Sequence, residues 1–427
     1  MPIAFPSTAR IGRNAFWLIV DRGGRLLLAL LVGVYVARQL GPEYYGVLSS
    51  AQATVSLLAF LGLAAIEAIV LRMMVQEPDC EAEILGCAIA LRAFGSLVLI
   101  ASASALTLAN GAWAVGVIPL LAAMHLFQAV DVVDYWFRLR LSSRHAAMAR
   151  LTAAAVGAAI RMLAADAKDP VRTVAAAMLI ESAMIAGALS LVFARQAQQR
   201  LVWQARRAKQ ILLEATPLIA SAVAVGIYAR YGYLLLAQAA GTAAVGQFAA
   251  ASLAAETMHL LAVAITQSYG PVLLTLSQQD RAAFDQGIAR LLRGFVAAAL
   301  VIAAAVSLAA PILMPLVFGS AYAVSGTLLS WLIWSIVFVY MSVASEIWLI
   351  ARGLQAYILA KTFLAALLFI PLASWLIPKW SGIGAAVATI AAYSMSAFWS
   401  NAFFRSTRPL FFAQLRALLL RPASSAT

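Results

Sequence analysis

Acidic residues are scarce in this chain, and so is charge of any kind. Only 17 Asp and Glu stand against 30 Lys and Arg in 427 residues; charged residues make up 11% and hydrophobic ones 64%, with a mean hydropathy of +0.92. That balance excludes an ordinary soluble domain, in which about a quarter of residues are charged. Cysteine is nearly absent. Cys80 and Cys87 lack the spacing of a disulfide framework or a thiolate zinc site and read as incidental. His125, His145 and His259 lie far apart with no HExxH-like arrangement, so no metal and no cofactor are expected. The one charged residue in excess is arginine, since lysine occurs only at Lys168, Lys209, Lys361 and Lys379. A formal charge of +13 and a pI of about 10.2 would suggest nucleic acid in a soluble chain. In so apolar a chain they indicate basic cytoplasmic loops instead, and no nucleic-acid partner.

Apolar runs between polar or turn clusters predict twelve membrane spans: 14–37, 44–72, 83–109, 112–139, 145–166, 171–194, 210–238, 242–272, 287–313, 323–351, 355–377 and 382–404. With both termini inside, 21 of the 30 basic residues, Arg150 and Lys361 among them, fall to the cytoplasmic side. Only 4 fall outside, and Arg22, Arg25, Arg92, Arg161 and Arg230 lie within spans. This asymmetry is the one the positive-inside rule describes. Arg10 and Arg13 precede the first apolar run as in a signal peptide, but the run continues past cleavage length, so it is expected as a retained span. All external connections are short, which leaves no outer loop for surface chemistry.

The expected organisation is an N-terminal six-helix lobe (1–195), a cytoplasmic linker (196–209), a C-terminal six-helix lobe (210–404) and a cytoplasmic tail (405–427). In the linker, Leu201, Val202 and Trp203 among Arg200, Arg206, Arg207 and Lys209 suit either a short interfacial helix on anionic lipid or a solvated connection. In the tail, Phe411, Phe412, Leu415, Leu418 and Leu419 share a helical face, with Gln414, Arg416 and Arg421 off it. A helix lying on the inner leaflet is expected there. Gly41 and Gly46 end the first span and open the second; Gly241 and Gly246 repeat that pattern between the seventh and eighth. Six spans per half put the halves in the same orientation, a parallel pseudo-twofold repeat of the kind two-lobed transporters use.

The first span carries Asp21, Arg22 and Arg25 at membrane depth. A central Asp or Arg costs roughly 2.5 to 3.5 kcal/mol on insertion scales, so such groups face a protein interior or a watery cavity. Asp21 and Arg25 form an i,i+4 pair with the acid first, the favoured order, which leaves Arg22 unbalanced.

The segment NAFWLIVDRGGRLLLALLVGVYVARQLGPEYYGVLS resembles the first two helices of Wzx-type polysaccharide flippases of the multidrug/oligosaccharidyl-lipid/polysaccharide exporter superfamily. Their first outer turn reads close to AR-x-LGPE-x-[YF]G, matched by Ala37, Arg38, Leu40, Gly41, Pro42, Glu43, Tyr45 and Gly46. TPLIAS around Pro217, IYARYGYLLLAQAAGTAAVGQFAAA, PLVFGSAYA and PKWSGIGAAVAT are similar too. One position departs: where the family commonly has an acid two residues after the arginine of the seventh span, this chain has Gly232.

The resemblance implies an all-α, MATE-like membrane protein of two six-helix bundles working by alternating access. It also implies an undecaprenyl-pyrophosphate-linked oligosaccharide as substrate, with the lipid bilayer and the pathway's polymerase and glycosyltransferases as partners. A pyrophosphate in a low-dielectric cavity needs cations, and arginine suits phosphate forks. Arg22, Arg25 and Arg230 are therefore the candidate anion ligands, the alternative for the first two being a structural pair with Asp21. Arg92 is a further candidate that snorkelling or pairing would equally explain. Asp21, Asp131, Glu181 and Glu256 are candidates for charge pairing or for a coupling proton or sodium ion, whereas Glu67, Asp134 and Glu346 read as interfacial charges. A drug or cation antiporter of the same superfamily is the rival reading; a membrane glycosyltransferase or polymerase would need a sizeable loop at the membrane surface, and the external loops are short.

Overall fold

The computed structural model describes residues 8–63, 66–110, 116–140, 143–197 and 201–419. Among them there is no strand. The elements are α1 (Thr8–Leu58), α2 (Glu67–Gln76), α3 (Glu81–Asn110), α4 (Val117–Gln128), α5 (Val133–Leu139), α6 (Ser143–Ala164), α7 (Pro170–Ala197), α8 (Ala205–Gln279), α9 (Arg281–Phe318), α10 (Ala323–Leu332), α11 (Ser335–Ala351), α12 (Gln355–Ser394), α13 (Ser400–Phe403) and α14 (Arg408–Leu418). Eight helical runs are long and apolar enough to cross a membrane, and α10 with α11 form a further span bent by 47°. Three of the runs are pairs of legs joined at non-helical residues, Gly41, Gly241 and Ser381. Counted leg by leg, the described residues hold the twelve spans that the sequence predicts. The protein is a multi-pass membrane protein.

The chain divides into two compact units, residues 1–40 with 47–223 and residues 41–46 with 224–427. In the first, α2, α3, α5 and α7 enclose Ile66, Met73, Leu85 and a set of edge-to-face rings, with Trp136 5.2 Å from Phe137 and 5.4 Å from Phe193. The opening turns of α8 belong to this core through Ala208, Ile211 and Ala215. Of the two expectations for the linker, residues 201–204 fit the solvated connection, being non-helical and exposed, but they are also strapped to α3: the Val202 amide donates to Ala82 O at 3.2 Å, and Cys87 Sγ lies 3.3 Å from both the amide and the carbonyl of Gln204. Gly86 permits this approach, because a Cβ there would sit 2.4 Å from Val202 O. Cys87 is therefore a strap residue rather than an incidental one, and Arg207 closes the strap on Glu77 at 2.6 Å.

The repeated glycine turns both lie in the second unit. Gly41 and Gly241 have φ of 69° and 81°, a left-handed conformation that favours glycine. A Cβ on Gly46 would lie 1.8 Å from Thr242 O, and one on Gly246 1.8 Å from Pro42 O. That reciprocity is what a twofold relation between the two turns requires. In the tail, Gln414, expected off the apolar face, is instead 0% exposed. It bonds Asn401 and Ser345 at 2.9 and 2.7 Å and Ala397 O at 2.8 Å, and Ala397 lies in a π-helical turn, Met395–Trp399. The reason is polar satisfaction: with three partners the buried Gln414 amide has its hydrogen bonds made, and it shares the Ala397 carbonyl of the π-turn with the Asn401 amide, which donates to it at 2.9 Å. Phe412, Leu415 and Leu419 face outward with Arg408 and Arg416. Arg421 lies outside the described residues.

Candidate functional site

In the first unit the intramembrane charges converge. Arg25, Glu67, Arg92, Asp131, Asp134, Tyr135, Arg138 and Arg150 line a cavity of about 190 Å³. Behind it, Asp21 on α1 accepts from Arg25 at 3.2 Å, the expected i,i+4 pair, and also from Arg150 on α6 at 2.8 Å. Arg150 reaches on to Asp134 of α5 at 2.6 Å; Asp134 also takes Arg138 at 2.6 Å, and Arg138 meets Glu67 at 3.0 Å. A chain of alternating charge thus ties α1, α2, α5 and α6 together. Small residues admit it: a Cβ on Gly24 would stand 2.8 Å from Leu151, next to Arg150.

Burial ranks these groups. Asp21, Asp134 and Arg150 are 1%, 2% and 5% exposed, and removing one member of such a pair strands a buried charge at a cost of about 3–5 kcal/mol. The Arg25 side chain is 40% exposed beyond its single ion pair. Arg92 is the exception. It is 7% exposed, its Nε is buried without a hydrogen-bond partner, and among the described residues no carboxylate lies within ion-pair distance of it. Its charge acts on Asp131 and His125 from further away. A guanidinium so placed has donors to offer to an anion in the cavity.

In the second unit Arg230 lies 5.7 Å from the centre of the Tyr233 ring and makes no ion pair among the described residues. A Cβ on Gly232 would lie 3.1 Å from the buried ring of Phe369, so a side chain there requires that ring to shift. Nearby, Tyr233, Ser252, Glu256, His259 and Tyr393 border a cavity of about 40 Å³, room for a water but not for a headgroup. Glu256 is exposed at its rim, and His259 Nε2 is buried without a partner.

Several charged residues stand elsewhere than their place in the sequence suggests. Asp134, expected at an interface, is in the buried network, and Glu67 is joined to it. Arg150 and Lys361, counted with the cytoplasmic connections, are 5% and 3% exposed inside helices; Lys361 Nζ lies 3.4 Å from Ser342 Oγ. Arg150 is the important omission. Its signal was its place six residues into a predicted span, which an inner-end assignment concealed. Glu181 is held by Arg161 at 2.8 Å and packs on Gly157, where a Cβ would meet it at 2.4 Å. The Arg22 side chain lies outside what the structure describes.

The fold is one of membrane-spanning legs in two compact units, with a charged cavity inside the first. Solved structures share the fold, among them three membrane transporters. The lipid II flippase MurJ, in an inward closed conformation, matches at TM-score 0.69 with 14% identity over 95% of this chain and 91% of that one. An inward-facing multidrug resistance MATE family transporter of the MOP superfamily matches at 0.64 with 15% identity, covering 94% and 96%. A MOP superfamily transporter from Pyrococcus furiosus matches at 0.60 with 15% identity, covering 96% of both. At such identity the likeness establishes the fold, that of the MOP transporters. No curated protein matches the sequence significantly. The family model described as polysaccharide biosynthesis protein matches residues 11–277, more than half of the chain, and the chain belongs to that family.

Proposed function

We propose that the protein is a Wzx-type flippase. It carries a polyprenyl-pyrophosphate-linked oligosaccharide from the cytoplasmic to the outer leaflet of the bacterial cytoplasmic membrane for polysaccharide export. In this reading two six-helix lobes, residues 1–195 and 210–404, alternate in access, and the linker 196–209, the tail 405–427 and both termini are cytoplasmic. The observation that supports it most is Arg92, a buried guanidinium with no carboxylate at ion-pair distance among the described residues, lining a cavity with three more arginines in a member of a polysaccharide biosynthesis family. An anionic headgroup supplies the missing counter-charge, because phosphate charge cannot cross a bilayer core unpaired. Asp131 and Glu256, the candidate acids without an ion pair among the described residues, are the places for a coupling proton or sodium ion.

In cells, Arg92→Ala should abolish surface polysaccharide while lipid-linked oligosaccharide accumulates on the cytoplasmic leaflet. A folded, inserted Arg92→Ala protein with normal export overturns the assignment. The exposed Glu256 beside three aromatic side chains favours a second reading, a drug or cation antiporter. Drug efflux from vesicles, with no effect of the arginine variants on polysaccharide, would replace the first reading by the second.

A further inference from the structure

One carboxylate of the charged cavity is unlike its neighbours. Asp21 and Asp134 are buried, and each holds two arginines. Glu67 holds Arg138 alone among the described residues, at 3.0 Å, and its side chain is 50% exposed. Its backbone setting is different as well. The second membrane leg closes in a tight turn, Ala59–Gly62, after which Leu63 adopts φ 53°, and α2 begins at Glu67. A leucine in the left-handed region is strained, and such residues gather at clamps and switches. In the first turn of α2, the Glu67 carboxylate is also favoured by the positive end of its own helix, whether or not Arg138 holds it.

We propose that Glu67 is an internal counter-anion for the cavity. It occupies Arg138 while the cavity is empty and yields to the phosphate of the substrate, so it sets how tightly the anion is held and how readily it leaves. This rests on the reading of the cavity as a site for an anionic headgroup. The division of labour at Arg138 supports it. Asp134 takes the Nε and Nη2 side of the guanidinium, both at 2.6 Å, and Glu67 takes Nη1 at 3.0 Å. Asp134 is buried and joins two arginines, so its leaving would reduce Arg150 to Asp21 and Arg138 to Glu67. Glu67 gives up one ion pair and keeps its helix end and its exposure. A phosphate drawn in by Arg92 therefore gains the Nη1 donors by replacing one carboxylate with one anion, and Arg138 is never left bare. The exchange also discriminates: a multiply charged phosphate competes with a carboxylate for a guanidinium fork better than a singly charged anion does.

The sign of the effect separates this role from a structural one. Glu67→Gln in the purified full-length protein should bind inorganic pyrophosphate about two- to fivefold more tightly by calorimetry, the worth of one partly exposed ion pair. The same variant should flip lipid-linked oligosaccharide more slowly in vesicles, because release is delayed. Glu67→Asp, which keeps the charge, should return the affinity toward that of the unaltered protein. Pyrophosphate binding that is unchanged or weaker in Glu67→Gln, with the thermal transition preserved, overturns the proposal and leaves the anionic-substrate reading standing. Equal tightening in Glu67→Asp removes charge as the cause and overturns it too. If the unaltered protein binds no pyrophosphate, the substrate reading and this proposal fall together.

Discussion

The two units each hold an arginine without an ion pair among the described residues, in opposite settings. Arg92 is buried beside three other arginines in a cavity of about 190 Å³ whose carboxylates are largely committed to those neighbours. Arg230 lies over an aromatic ring, close to a cavity of only about 40 Å³ with one exposed acid and a half-buried histidine. In a low-dielectric interior, then, the number of arginines says little about anion binding. What matters is which guanidinium has lost its carboxylate to a competitor. In the first unit Arg150 takes both Asp21 and Asp134 and so turns two acids into supports for Arg25 and Arg138. In the second unit nothing comparable is built among the described residues, and a side chain in place of Gly232 would crowd the ring of Phe369.

The largest expected effect comes from breaking the support itself. Arg150→Met takes one arginine from each of two buried carboxylates, leaving Asp21 with Arg25 alone and Asp134 with Arg138 alone, and should destabilise the protein by about 3–5 kcal/mol, seen as a loss of folded yield and a lowered thermal transition. Arg92→Ala sharpens the contrast. With no ion pair to break, it should cost far less stability than Arg150→Met while removing pyrophosphate binding; equal destabilisation by the two would mean that Arg92 is structural. Between them in size lies Gly246→Ala, whose Cβ would meet Pro42 O at 1.8 Å. Forcing that backbone contact apart should cost about 1–3 kcal/mol, read from the same thermal transition, and the reciprocal Gly46→Ala should cost as much.

The glycine turns were legible in the sequence because a left-handed backbone and a close backbone approach both favour one residue type, and the pattern occurs twice. The spans were legible because apolar length is itself the constraint in a bilayer. The Asp21–Arg25 pair was legible from helical spacing alone. Arg150 was not, because its partners lie 129 and 16 residues away in sequence on two other helices, and no periodicity links them. Gln414 misled for a related reason: a polar residue on a short amphipathic helix points to solvent by default, and the buried partners that reverse this, Ser345, Ala397 O and Asn401, lie on other segments of the chain. The linker strap was hidden in the same way, since a glycine in α3 gives no sign of which distant segment it admits.

The smallest effect is expected in the second unit. Glu256 is exposed at the rim of the small cavity and forms no ion pair among the described residues, although the charge of Arg230 reaches it. Glu256→Gln therefore removes a charge without stranding one, and stability should change by no more than about 0.5 kcal/mol, as for surface substitutions away from a network. Its effect on transport is the informative readout. If the second unit supplies the coupling step and the first the anion site, Glu256→Gln should leave pyrophosphate affinity intact and slow substrate movement under an imposed proton or sodium gradient. Arg92→Ala should do the reverse, losing affinity at every gradient. A Glu256→Gln protein that loses pyrophosphate binding as fully as Arg92→Ala would erase the distinction between the two units and place both residues at one anion site.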